Sequence, residues 1–276
     1  MRIKSFSKIN LTLRVLRKLK NGMHNIETNS VLVDLYDGID ITKSKKNEII
    51  FKGKFKKNIN IKNNTIIETL RLLKKFKFIN NFYRIIINKN IPVYAGLGGG
   101  TGNSVSIIKY LLKKKLNEKI VSECEKKIGS DFRLFLNNFT FQKGLGKVFK
   151  NKNKFQSNLL IIFPNIHCKT KNIYKAVRKF SPSSRDLYLK KINKKKLIDY
   201  IKKDQNDLQK IVEKKYSRIA NLIKLINNQK GCIFSRMTGS GSACYGVFKS
   251  NKTAKFAKIM IKRKHPKYWC VITKTI

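Results

Sequence analysis

Residues 92–104 read Pro92-Val93-Tyr94-Ala95-Gly96-Leu97-Gly98-Gly99-Gly100-Thr101-Gly102-Asn103-Ser104. On their N-terminal side, Ile85-Ile86-Ile87 lies within a strand signal over Tyr83–Asn88 that Pro92 closes. On the other side, Val105, Ile108, Leu111, Leu112 and Leu116 share one helical face, which predicts a helix over 103–116. Five of the seven residues from Gly96 to Gly102 are glycine, so the backbone can take positive φ and approach a ligand closely. A helix that follows such a loop offers its unsatisfied N–H groups and positive dipole end to an anion. Strand, glycine loop and helix in this order predict a phosphate cradle, with the Thr101 hydroxyl available to a phosphate oxygen or Mg²⁺. A plain glycine turn is the competing reading. No Gly-Lys-Ser/Thr follows, so this is not a Walker loop. An acidic residue about 20 positions on in a strand context, which a dinucleotide fingerprint would need, is also missing.

Outward from the loop, Ile66, Ile67, Leu70 and Leu73 predict a helix over 64–78, and another over 118–128 ends at Gly129, read as a left-handed C-cap. Residues 43–63, rich in Lys and Asn around Ile49-Ile50, Ile59 and Ile61, read as short strands joined by polar turns. Beyond the loop, strands are expected at 159–163, 243–248 and 268–273, with helices at 194–203, 206–214, 216–228 and 252–263. The elements mix without strict βαβ alternation, which favours an α+β fold in two lobes. The polar stretch near 150–157 sets the expected boundary, giving lobes 1–152 and 153–276.

The chain of 276 residues carries 63 Lys and Arg against 15 Asp and Glu, a formal charge of +48. Nucleic-acid binding is one reading of that excess. Lysine is spread along the whole chain, however, and Asn, Ile and Phe, whose codons are likewise rich in A and T, are also plentiful. The composition therefore reads as drift, with no specific nucleic-acid partner expected. No run of about 18 apolar residues predicts a membrane helix. Polar residues interrupt the N-terminal segment, so no secretory signal is expected and the reading is cytoplasmic. Five cysteines form no C-x-x-C pair, which fits reduced thiols.

The motif Pro-x-x-Ala-Gly-Leu-Gly-Gly-Gly-Thr resembles the phosphate loop of the GHMP kinase superfamily. Four further segments narrow the resemblance to the branch that phosphorylates a cytidine diphosphate derivative of methylerythritol. They are Ser7-Lys8-Ile9-Asn10-Leu11, Asn21-Gly22-Met23-His24, Ile128-Gly129-Ser130-Asp131 and Arg236-Met237-Thr238-Gly239-Ser240-Gly241. Their order and spacing match across essentially the whole chain. The resemblance implies an N-terminal lobe like the second domain of ribosomal protein S5 and a ferredoxin-like C-terminal lobe. ATP and Mg²⁺ would serve as cofactors, and the acceptor's 2-hydroxyl would be phosphorylated in a cleft between the lobes, by a monomer or homodimer.

Residue by residue, Lys8 and Asp131 are the implied catalytic pair. Pro92, Val93, Tyr94, Ala95, Gly96, Leu97, Gly98, Gly99, Gly100, Thr101 and Gly102 would bind ATP, with Asn64 and Lys89 near the adenine. Asn10, His24, Thr170 and Tyr174 would contact the acceptor; no magnesium ligands are implied. Pattern alone gives several of these plainer readings. In the segment from Lys8 to Val15 the residues alternate, so Lys8, Asn10 and Thr12 could simply be the solvated face of a strand. Asp131 could be a helix N-cap, His24 a turn residue, and Tyr174 a half-buried core ring. Met23 stands where the family usually has a stacking tyrosine, and Thr101-Gly102-Asn103 where Ser-Ser-Asp is usual. Other open readings are a kinase of homoserine or a mevalonate derivative, and a basic RNA-binding protein.

Overall fold

The structure is a computed structural model that describes residues 2–61, 64–113, 116–184 and 190–276. The chain divides into two compact units. The first comprises Met1–Lys8, Leu35–Val93 and Gly98–Asn137; the second comprises Ile9–Asp34, Tyr94–Leu97 and Asn138–Ile276. Two long strands, β1 (Arg2–Lys18) and β2 (His24–Ser44), contribute residues to both. The units are therefore not two successive stretches of chain.

In the first unit the C-terminal half of β2 runs antiparallel to β4 (Phe82–Asn88), with Gly38 opposite Asn88, and β3 (Glu48–Lys52) pairs parallel with β4. Three helices complete it: α1 (Thr65–Lys75), α2 (Gly99–Leu112) and α3 (Glu118–Ile128). Helix α1 forms where expected because Ile66, Leu70 and Leu73 bury one face and the Asn64 side chain caps it, accepting from the N–H of Ile66 and Ile67. Asn117 caps α3 in the same manner. That helix stops at Gly129, whose φ of +150° and ψ of +149° are open to glycine but are not the left-handed conformation expected. Helix α2 starts at Gly99, earlier than the expected 103, so three loop glycines lie in its first turns. The end of that expectation, residues 114–115, lies outside the described residues, as do 62–63 of the 43–63 stretch. Of that stretch, Ile49-Ile50 is the strand β3, whereas Ile59 and Ile61 lie in no strand.

In the second unit the N-terminal half of β2 pairs with β5 (Phe139–Lys143), and β5 pairs with β6 (Val148–Lys150), both antiparallel. A separate antiparallel sheet has the order β10 (Trp269–Lys274), β7 (Asn158–Phe163), β9 (Cys244–Phe248), β8 (Cys232–Met237). Helices α7 (Ser217–Asn227) and α8 (Asn251–Lys264) pack on it, and α6 (Asp207–Lys215) packs on α7 and on α4 (Thr170–Lys175). The remaining helix, α5 (Lys194–Lys203), matches the sequence expectation residue for residue. Leu160, Ile162, Leu208, Val212, Leu222, Ile226 and Ile261 form the core of this unit. Each fully buried side chain of this size contributes about 1.5–3 kcal/mol. Buried Arg236 ties the unit together: its guanidinium donates to the carbonyls of Leu11, Ile201 and Asp204, closing the end of α5 against β1 and β8.

Candidate active site

In the first unit, β1 delivers Lys8 into the interior, its side chain only 4% exposed, with Nζ 3.0 Å from Oδ2 of Asp131. Asp131 heads a 3₁₀ turn, Phe132–Phe135, but makes no capping bond; its carboxylate, 37% exposed, faces Lys8 instead. The capping role read from sequence is thus not the one it plays. Three anchors fix the turn. Phe132, Leu134 and Phe135 are buried, and Arg133 is gripped by Glu118 and, at 2.6 Å, by Glu125 of α3. Lys109 of α2 donates to the carbonyls of Phe135 and Leu136 at 2.9 and 3.2 Å. A carboxylate at the head of so constrained a turn is held in direction as well as in place.

The glycine loop meets this pair at Gly98. Its φ of +69° is left-handed, and a Cβ there would lie 2.6 Å from Cζ of Phe135 and 3.2 Å from Cγ of Lys8. Gly102, whose N–H donates to the Gly98 carbonyl at 2.8 Å, would clash with Phe135 in the same way. Among the described residues no side chain caps α2, and its first turn holds no acid, so the N–H groups of its opening turn remain for an acceptor outside the helix. In the second unit, the loop residue Gly96 (φ +76°) sits so close to the Thr238–Gly241 turn that a Cβ would be 2.4 Å from the Thr238 carbonyl. Tyr94 also has positive φ (+58°); its exposed ring leans on His167, which stacks on buried Phe163. A close-packed glycine loop that leads into an uncapped positive helix end fits a polyphosphate. Mg²⁺ takes oxygen donors and keeps several waters, and the Thr101 hydroxyl and Asp131 carboxylate are of that kind.

Of the other residues singled out, His24 and Tyr174 come together in the second unit, ring centroids 5.3 Å apart and tilted by 38°. Desolvation, and secondarily Lys18, lower the His24 pKa, which favours a neutral imidazole. Thr170, at the start of α4, shares a 2.8 Å hydroxyl contact with Ser240 of the glycine-rich turn. Asn10 is buried rather than on a solvated strand face: its Nδ2 donates to Thr28 (2.8 Å) and Ser30 (3.0 Å). Asn64 spends its side chain capping α1, and the adjacent Thr65 hydroxyl donates to the Gly100 carbonyl at 3.1 Å. Lys89 is buried against Asp37, a residue the sequence reading passed over, as it did Arg133. Acidic residues are so few here that each was a candidate for a structural tie, but only the strand register pairs Asp37 with Lys89.

Comparison with known proteins gives this geometry its context. The family profile for the GHMP kinases N terminal domain matches residues 64–132, and that for GHMP kinases C terminal matches residues 188–267. The chain is thus an ATP-dependent small-molecule kinase of the GHMP class. A relative from Pelagibacter ubique, a 4-diphosphocytidyl-2-C-methyl-D-erythritol kinase, is 38% identical over 100% of this chain and 99% of its own. One of the same description from Caldanaerobacter subterraneus is 32% identical over 90% and 88%. The chain belongs to the 4-diphosphocytidyl-2-C-methyl-D-erythritol kinase family. Its fold matches a crystal structure of 4-(cytidine 5'-diphospho)-2C-methyl-D-erythritol kinase with a TM-score of 0.79 at 21% identity, each chain covered fully. A homoserine kinase from Cytophaga hutchinsonii follows at 0.70 and 17%, covering 100% of this chain and 94% of that one.

Proposed function

We propose that this protein transfers the γ-phosphoryl group of ATP to the 2-hydroxyl of 4-diphosphocytidyl-2-C-methyl-D-erythritol, a step of non-mevalonate isoprenoid synthesis. The observation that carries the reading is the contact of Lys8 with Asp131 at 3.0 Å, beside Gly98 of the phosphate loop. Phosphoryl transfer needs positioning and charge stabilisation more than covalent chemistry. Asp131 accepts the proton of the attacking hydroxyl, and the Lys8 ammonium, 3.0 Å away, holds that carboxylate in place while offsetting charge on the group in flight. Amides of the loop, residues 92–102, and of the opening turn of α2 hold the phosphates. Asn64 and Lys89 support the nucleotide side from beneath the loop. Mg²⁺, when bound with ATP, neutralises phosphate charge.

On the acceptor side, neutral His24 can both donate to and accept from the edge of a cytosine, and Tyr174 offers it a ring face. Thr170 presents a hydroxyl, and Asn10 braces this face through Thr28 and Ser30. Two lobes meeting near 152/153, a cytoplasmic location, a monomer or homodimer and the absence of a specific nucleic-acid partner complete the reading. The two family segments lie on either side of that boundary. An ADP-release assay with and without the cytidyl acceptor tests it: release should depend on the acceptor, and Asp131→Asn should lower kcat by about 10²–10⁴-fold with the fold intact. Acceptor-independent release, or an Asp131→Asn enzyme that turns over normally, would refute the assignment.

A further inference from the structure

Asp37 lies on β2, fully buried, one residue before Gly38; because Gly38 pairs with Asn88, Asp37 falls opposite Lys89. One carboxylate oxygen, Oδ1, accepts from the backbone N–H of Asn90 at 2.8 Å and of Ile91 at 2.9 Å. The other, Oδ2, pairs with the Lys89 ammonium, which is itself 4% exposed. Asn90 and Ile91 are the last donors before Pro92, which has no N–H, opens the phosphate loop. The other end of this arrangement touches the loop directly. A Cβ built on Gly99, the first residue of α2, would lie 3.2 Å from Lys89 Nζ and 3.0 Å from Cγ2 of Ile91. The first turn of α2 therefore rests on two groups that a single carboxylate holds. Asp37 itself faces neither reacting group, and nothing in the transfer chemistry calls for a carboxylate there.

We infer that Asp37 is a positioning residue: through Lys89 and the Asn90–Ile91 backbone it sets where the opening turn of α2 presents its amides to the nucleotide's phosphates. The inference rests on the nucleotide reading above. A carboxylate suits the task because it only accepts, and it can serve two backbone donors and an ammonium at once. Removing the charge alone would strand a buried ammonium beside the positive end of a helix, so the test removes both charges together.

Two double variants, D37N/K89M and D37L/K89M, are matched in side-chain size, and the leucine form lacks the oxygen that can accept from Asn90 and Ile91. Binding of a non-hydrolysable ATP analogue by calorimetry is read alongside KM for ATP and for the cytidyl acceptor. The leucine form should bind the analogue at least about tenfold more weakly than the asparagine form and show a matching rise in KM for ATP, with acceptor KM within about twofold. Equal ATP affinity in the two forms, or parallel rises in both KM values, would overturn the inference by making Asp37 a purely structural tie. Should the leucine form fail to fold, Asp37→Glu in the otherwise unchanged chain serves, since the longer arm displaces the same backbone. An unchanged KM for ATP there overturns the inference equally. Wild-type protein that neither binds the analogue nor releases ADP with acceptor would sink the nucleotide reading too; wild-type binding with indistinguishable variants sinks this inference alone.

Discussion

Replacing Gly98 with alanine probes the loop and the catalytic pair in one step. At φ +69° and ψ +21° the residue is left-handed, which costs a non-glycine residue about 1–2 kcal/mol. Its new methyl would also stand 2.6 Å from Cζ and 3.1 Å from Cε2 of Phe135, and 3.2 Å from Cγ of Lys8. Phe135 is buried and cannot swing away, so this overpacking adds about 1–3 kcal/mol. The expected loss of stability is about 2–5 kcal/mol, read as the shift of the urea midpoint at constant m. Part of the strain is relieved by pushing the Lys8 stem, and a displacement approaching 1 Å at a reacting group costs about 10²-fold in kcat. Gly100→Ala is the internal control. Its nearest neighbour would be the Thr65 hydroxyl at 3.4 Å, an ordinary contact, and its helical position gains about 0.5–1 kcal/mol on losing a glycine. Denaturation curves and acceptor-dependent ADP release for both variants decide the matter. A Gly98→Ala enzyme as stable as wild type, with kcat unchanged, would show that the loop does not press on Phe135 and Lys8 in this way.

Arg133→Met should cost about 2–3 kcal/mol, since it strips charge-assisted bonds from Glu118 and Glu125, and should lower kcat by loosening the turn that aims Asp131; an unchanged urea midpoint contradicts it. The His24 imidazole, followed by NMR, should titrate below its ordinary value of 6.5, because desolvation and then Lys18 disfavour its charged form. Between that lowered value and 6.5 the unfolded chain holds more protons, so this group favours the folded state as pH rises through the window and withdraws that support on acidification. A titration at or above 6.5 would refute it. Burial pushes Cys124, Cys232 and Cys270 up to about 11 and raises Cys168 and Cys244 as well. Native protein at pH 7.5 should therefore resist iodoacetamide, while denatured protein releases all five thiols; fast native labelling of any one contradicts the packing.

Much of this was legible in the chain itself, for identifiable reasons. Helices α5 and α8 announced themselves because one apolar stripe per helix meets the core, as Ala254, Ala257 and Ile261 do. The phosphate loop was legible because at Gly96 and Gly98 only glycine satisfies both the positive φ and the close approach. Strand β8 was missed because Arg236 interrupts its apolar run, and only the folded chain supplies the carbonyls that satisfy a buried guanidinium. Pattern alone made the polar face of β1 a solvated strand face; instead Asn10 and Thr12 are buried in a network with Thr28, Ser30 and Asn29. Asp37 was invisible for a related reason. Asp34, Asp37 and Asp40 look alike in sequence, and only the register against β4 buries the middle one beside a lysine.

The ties made by Asp37, Asp131, Glu118 and Glu125 have a consequence for how this sequence can change. With 63 cations against 15 anions, surface lysines can come and go at little expense, while a lost carboxylate removes a fixed point of the backbone or the catalytic pair. Tolerance to substitution should thus be lopsided: permissive at the abundant charge and strict at the rare one. These four anions act as rivets, and mutational scanning would find them, with their buried partners Lys8 and Lys89, by their intolerance, before it found any of the surface lysines.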